Sequence, residues 1–203
     1  MTKKISMHDV KYLRDRTDAG MFDCKIALEA SDGDINNAIK YLRQKGLASA
    51  SKKSSRAAME GLIESYIHVG SKIGILVELN CETDFVAKKK RFQRLAKNIA
   101  MQLAAYQSIE YINIDDIPDD IIEHERNIES SKEDLVNKPL DKKEQIIEGR
   151  LQKRLKELSL MNQPYMKNSD ISVEELVKEH IALFKENIKV RRFNRFILGD
   201  GLG

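Results

Sequence analysis

The residues of this sequence that could do chemistry are few and scattered. The four histidines are His8, His68, His124 and His180. They are isolated and form no HExxH motif, and no CxxC motif is present, so each histidine is more typical of a packed or solvated side chain than of a metal ligand. Neither GxxxxGKS/T nor GxGxxG occurs, which argues against a bound nucleotide. The sequence therefore predicts no metal and no cofactor.

Neither the two cysteines nor one acidic cluster indicates a metal site. Cys24 and Cys81 are too few for a disulfide framework or a zinc set, and both are interpreted as small buried residues in a protein of a reducing compartment. An acidic cluster at 115–120 lacks the spacing of a calcium loop and is interpreted as solvated acids at helix starts. No catalytic group is predicted, so the protein is not expected to be an enzyme.

Two basic stretches could contact nucleic acid. Lys88–Arg91 is interpreted as the solvated face of a helix, and Arg191–Phe196 as sheet core with solvated arginines, because strand alternation puts Phe193 and Phe196 on opposite faces. The net charge is only +3, from 35 basic and 32 acidic residues, which argues against a dedicated nucleic-acid binder. No apolar run approaches the roughly 20 residues that span a bilayer, so no membrane segment is predicted.

One short segment stands apart, the sequence TDFV at 83–86. Thr83 is placed to cap a helix that begins at Asp84. Phe85 precedes Phe92 by seven residues, so it could extend the buried stripe of that helix, or it could project from the body of the domain. The residues alone leave both readings open.

Three short helices are predicted before residue 46. Ser6 caps the first, with Asp9 three residues later, and Asp34 caps the third. Phe22 is assigned to the inner stripe of the second helix, and Gly46 is read as the C-cap of the third. A bundle of this size has a small core and is marginally stable alone, which favours a role in holding a partner.

The rest of the chain predicts an α+β fold. Residues 47–60 form a basic connector, and two strands on either side of a turn at 70–72 form a hairpin. Helices are predicted at 84–106, 118–130, 139–158 and 172–187, with the second and third paired as a charged helical hairpin, and 159–170 is read as irregular. A last strand at 188–198 must join the hairpin, which gives a roughly three-stranded antiparallel sheet with helices on one face.

Three long motifs, in order, resemble one family. They are LRDRTDAGMFDCKIALEASDGDINNAIKYLRQKG, ELNCETDFVAKKKRFQRLAKNIAMQLAA, and QPYMKN followed by SVEELVKEHIALFKENIKVRRFNRFILGDG. These resemble elongation factor Ts, the guanine-nucleotide exchange factor of elongation factor Tu, over essentially the whole chain. One departure is Asp18, where the family usually has glycine; aspartate also tolerates a turn.

The resemblance implies a domain plan and a function. It implies a UBA-like three-helix module at 1–46, a basic linker at 47–60 and a dimerisation or core domain at 61–203. It also implies that the chain binds elongation factor Tu in its GDP form and promotes GDP release by disturbing the Mg²⁺ and phosphate site. Such a protein works in the bacterial cytoplasm or in an organelle interior such as the plastid stroma. Because short members of this family are associated with homodimers, the resemblance also implies a homodimer or a Tu₂Ts₂ assembly.

The resemblance also assigns the site residues. Thr83, Asp84, Phe85 and Val86 would contact Tu and dislocate its Mg²⁺. Contacts from the N-terminal module would come from Arg14, Thr17, Gly20 and Met21. Two rival functions remain: a ubiquitin-like or nascent-chain binding module that needs only residues 1–46, and an RNA-binding protein that uses the two basic stretches, with steeply salt-dependent affinity.

Overall fold

A computed structural model of the chain describes residues 5–17, 19–135 and 138–200. The chain divides into two compact units. The first comprises Met1–Gly61, Asn80–Phe92 and Glu175–Lys189, and the second comprises Leu62–Leu79, Gln93–Glu174 and Val190–Gly203. Helices and one three-stranded antiparallel sheet together confirm the predicted α+β class.

The elements follow the order of the sequence. The helices are α1 Met7–Thr17, α2 Met21–Ala30, α3 Ile35–Ser51, α4 Asp84–Ala87, α5 Lys90–Ala105, α6 Asp119–Ser130, α7 Leu140–Leu158 and α8 Val173–Phe184. The strands are β1 Glu60–Ile67, β2 Ile73–Cys81, β3 Pro164–Tyr165, β4 Asn168–Ser172 and β5 Ile188–Ile197. Short 3-10 turns lie at Ile114–Asp116 and Glu133–Leu135.

The N-terminal helices form as their caps predict. The Asp9 backbone N–H donates to Ser6 Oγ at 3.1 Å while the Ser6 N–H donates to the Asp9 carboxylate at 3.3 Å, a reciprocal capping box at the start of α1. The Asn37 N–H donates to Asp34 Oδ1 at 2.8 Å at the start of α3. One small cluster holds the three helices together: Val10, Leu13, Cys24, Ala27, Leu28 and Ala38.

Two predictions about this bundle are wrong. Phe22 is exposed, because the buried face of α2 is set by Cys24, Ala27 and Leu28. Gly46 is not a C-cap, since α3 continues to Ser51. Gly46 instead permits a close approach: a Cβ there would lie 3.1 Å from the Cβ of Ala182 on α8. The predicted turn residue Asp18 and the tail residues 201–203 lie outside the described part of the chain.

The predicted hairpin and sheet are confirmed. The His68 N–H donates to the Ile73 carbonyl at 2.9 Å across the turn, where Gly70 has φ +91° and Ser71 has φ +56°. The sheet has the strand order β1-β2-β5. Along β2 the buried residues Ile75, Val77 and Leu79 alternate with partly or more exposed ones, as one covered face and one open face require.

The predicted pairing of α6 with α7 is also confirmed. The Arg126 guanidinium contacts the Glu148 carboxylate at 2.7 Å, and Arg154 Nε contacts Glu125 at 3.2 Å. An apolar seam lies between the helices, formed by Ile117, Leu151, Leu155 and Leu158 with Tyr111, Ile114, Ile121 and Ile122 packed against it. The apolar seam contributes more to the stability of the α6–α7 pair than the ion pairs do, because partly exposed ion pairs contribute little.

The segment read as irregular contains a small hairpin, so that prediction is wrong. β3 pairs antiparallel with β4. A fully buried glutamine from α5 supports the turn: Gln102 Nε2 donates to the Pro164 carbonyl at 2.9 Å, and the Met166 N–H donates to Gln102 Oε1 at 2.8 Å. This support comes from a residue 62 positions earlier than Pro164, and no local pattern announces it.

The reading of Arg191–Phe196 as sheet core with solvated arginines is only half right. β5 forms as predicted, and Phe193 is half-buried while Phe196 is exposed, as residues on opposite faces should be. Arg195 is not solvated: its guanidinium donates to the carbonyls of Leu103, Tyr106 and Gln107 at 2.8–3.1 Å. These are carbonyls at and just beyond the end of α5, so Arg195 closes that helix terminus.

Candidate partner-binding site

The first candidate site is the single helical turn α4, which follows directly on β2. Thr83 has extended dihedral angles (φ −130°, ψ 152°) and stands at the N-cap position of α4. Consecutive helical residues are about 100° apart around the axis, so neighbours face different ways. Val86 and Ala87 are buried, whereas Phe85 is 75% exposed. The turn therefore anchors itself by two small side chains and presents an aromatic ring to solvent.

A break after α4 decides between the two readings of Phe85. The predicted helix over 84–106 is wrong in this respect, because α4 ends at Ala87 and α5 begins at Lys90. The Lys89 N–H bonds the Val86 carbonyl at 2.9 Å, a tightened turn that interrupts the helical register. Phe92 is fully buried and packs edge-to-face against Phe184, with ring centroids 6.3 Å apart. Phe85 lies on a separate turn and does not extend that stripe.

Thr83 does not play the predicted role. Its side chain makes no capping hydrogen bond to α4. Instead the hydroxyl donates to Glu186 Oε1 at 2.6 Å, and the backbone N–H donates to Glu186 Oε2 at 3.0 Å. The position of Thr83 at the helix start was predicted correctly, but its hydroxyl binds Glu186, the second residue after α8.

Asp84 and the basic run behave as a solvated surface. Lys88 Nζ lies 2.6 Å from Asp84 Oδ2, an i,i+4 pair, and this hydrogen bond lowers the pKa of Asp84 and raises that of Lys88. Asp84 is therefore ionised at neutral pH. All four residues of Lys88–Arg91 are exposed, which confirms the interpretation as a solvated face.

Cys81 lies beneath the turn and is fully buried, as predicted. Its thiol donates to the Thr83 carbonyl at 3.1 Å. Burial, reinforced by the nearby Glu186 carboxylate, raises the pKa of Cys81 to about 11. A buried, protonated thiol is a poor nucleophile, so Cys81 supports the turn instead of reacting.

The four candidates of the N-terminal module meet at the junction of α1 and α2. Arg14 is exposed, and the Thr17 hydroxyl donates back to the Leu13 carbonyl at 2.8 Å. Gly20 is exposed at the N-cap of α2, and Met21 is half-buried as the first residue of that helix. These four residues lie at or next to the α1–α2 junction, at one end of the bundle.

Phe22 is a further candidate contact residue that was not predicted from the sequence. This ring is 74% exposed on the first turn of α2, directly after Met21. The missed signal is the spacing of Cys24, Ala27 and Leu28, which defines a complete inner stripe without Phe22.

Metal and membrane features are not found in the parts of the chain that the structure describes. In the ranges 5–17, 19–135 and 138–200, no group of three or more His, Cys, Asp or Glu side chains is arranged to hold a metal ion. Within the same ranges, every helix is too short or too polar to cross a bilayer.

Comparison with known proteins decides the family. The family model described as elongation factor TS matches residues 49–200. The chain is 60% identical over 202 residues to the chloroplastic elongation factor Ts of Guillardia theta, covering 100% of this chain and 92% of that protein. The chain belongs to the elongation factor Ts family. It is also 59% identical to the chloroplastic elongation factor Ts of Pyropia yezoensis, covering 99% of this chain and 91% of the relative.

Membership of the elongation factor Ts family establishes the general role of this chain. The family's role is nucleotide exchange in translation elongation, with elongation factor Tu as the partner and without covalent chemistry. A further relative, elongation factor Ts of Synechococcus sp. (strain JA-3-3Ab), is 61% identical and covers 95% of this chain and 68% of that protein. Relatives from plastids and cyanobacteria confirm the predicted compartment, a bacterial cytoplasm or an organelle interior such as the plastid.

Proposed function

We propose that this chain binds elongation factor Tu in its GDP form and promotes GDP release through Phe85. The ring enters the GTPase domain beside the Mg²⁺ site, with Asp84 next to it, and displaces the backbone that holds the metal. The observation that carries this proposal is the 75% exposure of Phe85 on a turn whose neighbours Val86 and Ala87 are buried. Exposed aromatic rings on a fixed backbone are typical anchors of protein interfaces.

A small displacement is enough to act on Mg²⁺. This ion requires near-ideal octahedral geometry, so a shift of one ligand weakens its binding. Loss of the metal removes the clamp on the GDP phosphates. By linkage, the chain must weaken GDP binding by the same factor by which GDP weakens binding of the chain.

Phe85 cannot act alone on energetic grounds. A thousandfold gain in release rate needs about 4 kcal/mol. Burial of one aromatic side chain supplies roughly 1.5–3 kcal/mol. We propose that the remainder comes from the N-terminal contacts, which are Arg14, Thr17, Gly20 and Met21 with the newly found Phe22, while Thr83 and Val86 contribute by holding the turn that carries Asp84 and Phe85.

The domain plan belongs to the same proposal. Residues 1–46 act as a UBA-like module that docks on Tu, residues 47–60 connect it, and residues 61–203 form the core. The exposed end of the bundle at the α1–α2 junction supports a docking role for the first part. The rival function, a ubiquitin-like or nascent-chain binding module for which residues 1–46 suffice and Tu is irrelevant, is tested by a pull-down with a chain truncated after residue 46.

Stopped-flow release of a fluorescent GDP from Tu tests the exchange mechanism. Phe85→Ala should slow the maximal release rate by about 10- to 150-fold, the equivalent of one buried aromatic. Leu140→Ala is the matched control, because Leu140 is an exposed apolar residue on α7. Circular dichroism should show both variants folded. An unchanged rate for Phe85→Ala would refute the inserted ring.

Chelation of Mg²⁺ separates the metal mechanism from other forms of release. With EDTA present, Tu releases GDP faster by itself, and the additional stimulation by the chain should shrink, because the step it promotes has already occurred. If the stimulation factor is the same with and without EDTA, the chain does not act through the metal.

We further propose that the chain pairs as a homodimer and can form a Tu₂Ts₂ assembly. The open face of the sheet supports this proposal: Ile63, Ile67, Leu76 and Phe196 are all exposed on it. A Cβ at Gly74 would lie 3.2 Å from Ile67 Cδ1, so the glycine lets that side chain lie flat across β2. Such an apolar face is typical of a protein–protein contact.

Light scattering tests the assembly, on the chain alone and with Tu. We expect twice the mass of one chain, reduced to a single mass by Phe196→Asp, which places a charge in the apolar face. A monomeric wild-type chain at micromolar concentration would contradict the dimer. The RNA-binding rival is tested by a filter-binding titration over a range of salt concentrations.

A further inference from the structure

Glu186, two residues after the end of α8, binds Thr83 at the start of α4, although the two residues are 103 positions apart in the sequence. One carboxylate accepts two hydrogen bonds from one residue: the Thr83 N–H donates to Glu186 Oε2 at 3.0 Å and the Thr83 hydroxyl donates to Oε1 at 2.6 Å. Hydrogen bonds to an ionised acceptor are about twice as strong as neutral ones. Both oxygens of Glu186 are therefore committed to the residue before Asp84 and Phe85.

The backbone before Glu186 is shaped to aim its side chain. α8 ends at Phe184, and the Lys185 N–H still bonds the Ile181 carbonyl at 2.9 Å. Lys185 then takes φ +60°, in the left-handed region that is unfavourable for a residue with a Cβ. This conformation reverses the chain at the helix end, so that Glu186 faces Thr83. A left-handed residue is a common way to end a helix, and here it directs the following side chain toward the start of α4.

The next residue makes the contact reciprocal. The Asn187 N–H donates to Glu82 Oε1 at 2.6 Å, so each segment supplies a carboxylate to the other segment's backbone. The Asn187 amide also donates to the carbonyls of Ser54 at 3.2 Å and Arg56 at 2.7 Å. Asn187 is buried, and its hydrogen bonds tie the connector to the same point.

A turn of four residues needs such support. α4 has only four residues, and an isolated turn of helix is unstable because nucleation fixes several dihedral angles for one hydrogen bond. Without external ties, Phe85 would sample many directions, and only the fraction in the binding orientation would engage a partner. Fixing the direction of Phe85 before the partner arrives removes this loss of affinity.

We propose that Glu186 is a positioning residue for nucleotide exchange: it clamps Thr83 and thereby fixes the direction of Phe85 before the partner binds. This inference rests on the proposed function of Phe85. Glu186 itself need not touch the partner. Its contribution passes through Thr83 to the turn, and a variant that keeps both hydrogen bonds keeps the function.

Two substitutions at one position separate geometry from charge. Glu186→Ala removes both acceptors and should lower the maximal rate of GDP release at least about tenfold, the equivalent of losing one hydrogen bond to a charged group at the weak end of their range. Glu186→Gln loses the same charge but can accept from the Thr83 N–H and donate to the Thr83 hydroxyl, so it should stay within about twofold of wild type. Glu123→Ala, an exposed acid on α6, controls for charge alone.

A double-mutant cycle tests whether Glu186 acts through Phe85. In a Phe85→Ala chain, Glu186→Ala should change the maximal rate by less than about twofold, because the ring to be positioned is absent. If the double variant is slower than Phe85→Ala by the full factor of Glu186→Ala alone, the two residues act independently and the inference is wrong. The inference is also wrong if Glu186→Ala alone has the same maximal rate of GDP release as wild type.

Measurements on the free chain keep the inference separate from the proposed function. Hydrogen exchange of the Thr83 amide should be at least about tenfold faster in Glu186→Ala and near wild type in Glu186→Gln. Thr83→Val, which keeps the N–H contact, should fall between them in release rate and serves as the second variant if Glu186→Ala does not fold. If wild type fails to stimulate release, the proposed function fails; if amide exchange at Thr83 is unchanged in Glu186→Ala, the clamp fails by itself.

Discussion

Two turns of this protein present an exposed phenylalanine in the same local setting, and they are held in different ways. Phe85 and Phe22 are each the second residue of a helix, and they are 75% and 74% exposed. α2 is ten residues long and buries its own inner stripe. α4 is four residues long and is tied to Glu186. A ring on a long helix is fixed by local packing, whereas a ring on a single turn depends on distant contacts.

This difference suggests a division of roles. The ring on α2 is suited to add affinity at a steady docking surface. The ring on α4 is suited to enter the partner, because a short turn projects with little bulk around it.

The largest expected effect concerns the thiol of Cys81, which lies beneath α4. With its pKa raised to about 11 by burial, Cys81 is roughly 0.1% thiolate at pH 8, against about 10% at the ordinary value of 9.0. Alkylation by iodoacetamide should therefore be at least about 100-fold slower than in the unfolded chain, and faster at pH 10 than at pH 8. Peptide mass spectrometry separates Cys81 from Cys24, whose pKa is also raised by burial. Cys81 reacting at the unfolded rate would show that α4 opens readily.

The second expectation concerns Phe22→Ala. Because α2 keeps its fold without this ring, the loss should appear as affinity: about a tenfold rise in the half-saturating concentration, with the maximal release rate kept. Titration of the chain in the GDP-release experiment measures both. A fall in maximal rate as large as that of Phe85→Ala would show that the two turns act in the same step.

The smallest expectation concerns two glycines inside helices. Gly149→Ala on α7 meets nothing within 4 Å and should raise the free energy of unfolding by about 0.5–1 kcal/mol. Gly46→Ala meets the Ala182 Cβ at 3.1 Å, on the helix that leads to Glu186, so it should be less stable than Gly149→Ala by at least about 1 kcal/mol. Urea unfolding compares them. If both substitutions raise the free energy of unfolding equally, α3 and α8 can move apart at Gly46 without loss of stability.

The locally encoded features were the ones that the sequence predicted well. The caps at Ser6 and Asp34, the turn after Ile67 and the buried stripe of α5 depend on neighbours within a few residues. The break between α4 and α5 was missed because Lys88 and Lys89 are good helix formers and carry no sign of a stop. Without that break, the exposure of Phe85 could not be decided.

Contacts between distant residues could not be predicted in this way. Thr83 was a reasonable cap by its type and position, yet its hydroxyl binds a carboxylate 103 residues away. Gly46 was equally compatible with a C-cap and with a close approach, and only the position of Ala182 separates the two. The candidate residues of the site came from the family resemblance, and their geometry came from the structure.

A fluorine probe at position 85 reports directly whether this side chain enters Tu. The chain contains no tryptophan, so Phe85→Trp labelled with 5-fluorotryptophan gives one ¹⁹F signal. Leu140→Trp, labelled in the same way, is the control for an exposed site away from α4. A soluble gadolinium complex should broaden both signals in the free chain. After Tu·GDP is added, we predict protection at position 85 and continued broadening at position 140; equal broadening of both signals in the complex would contradict insertion of this ring.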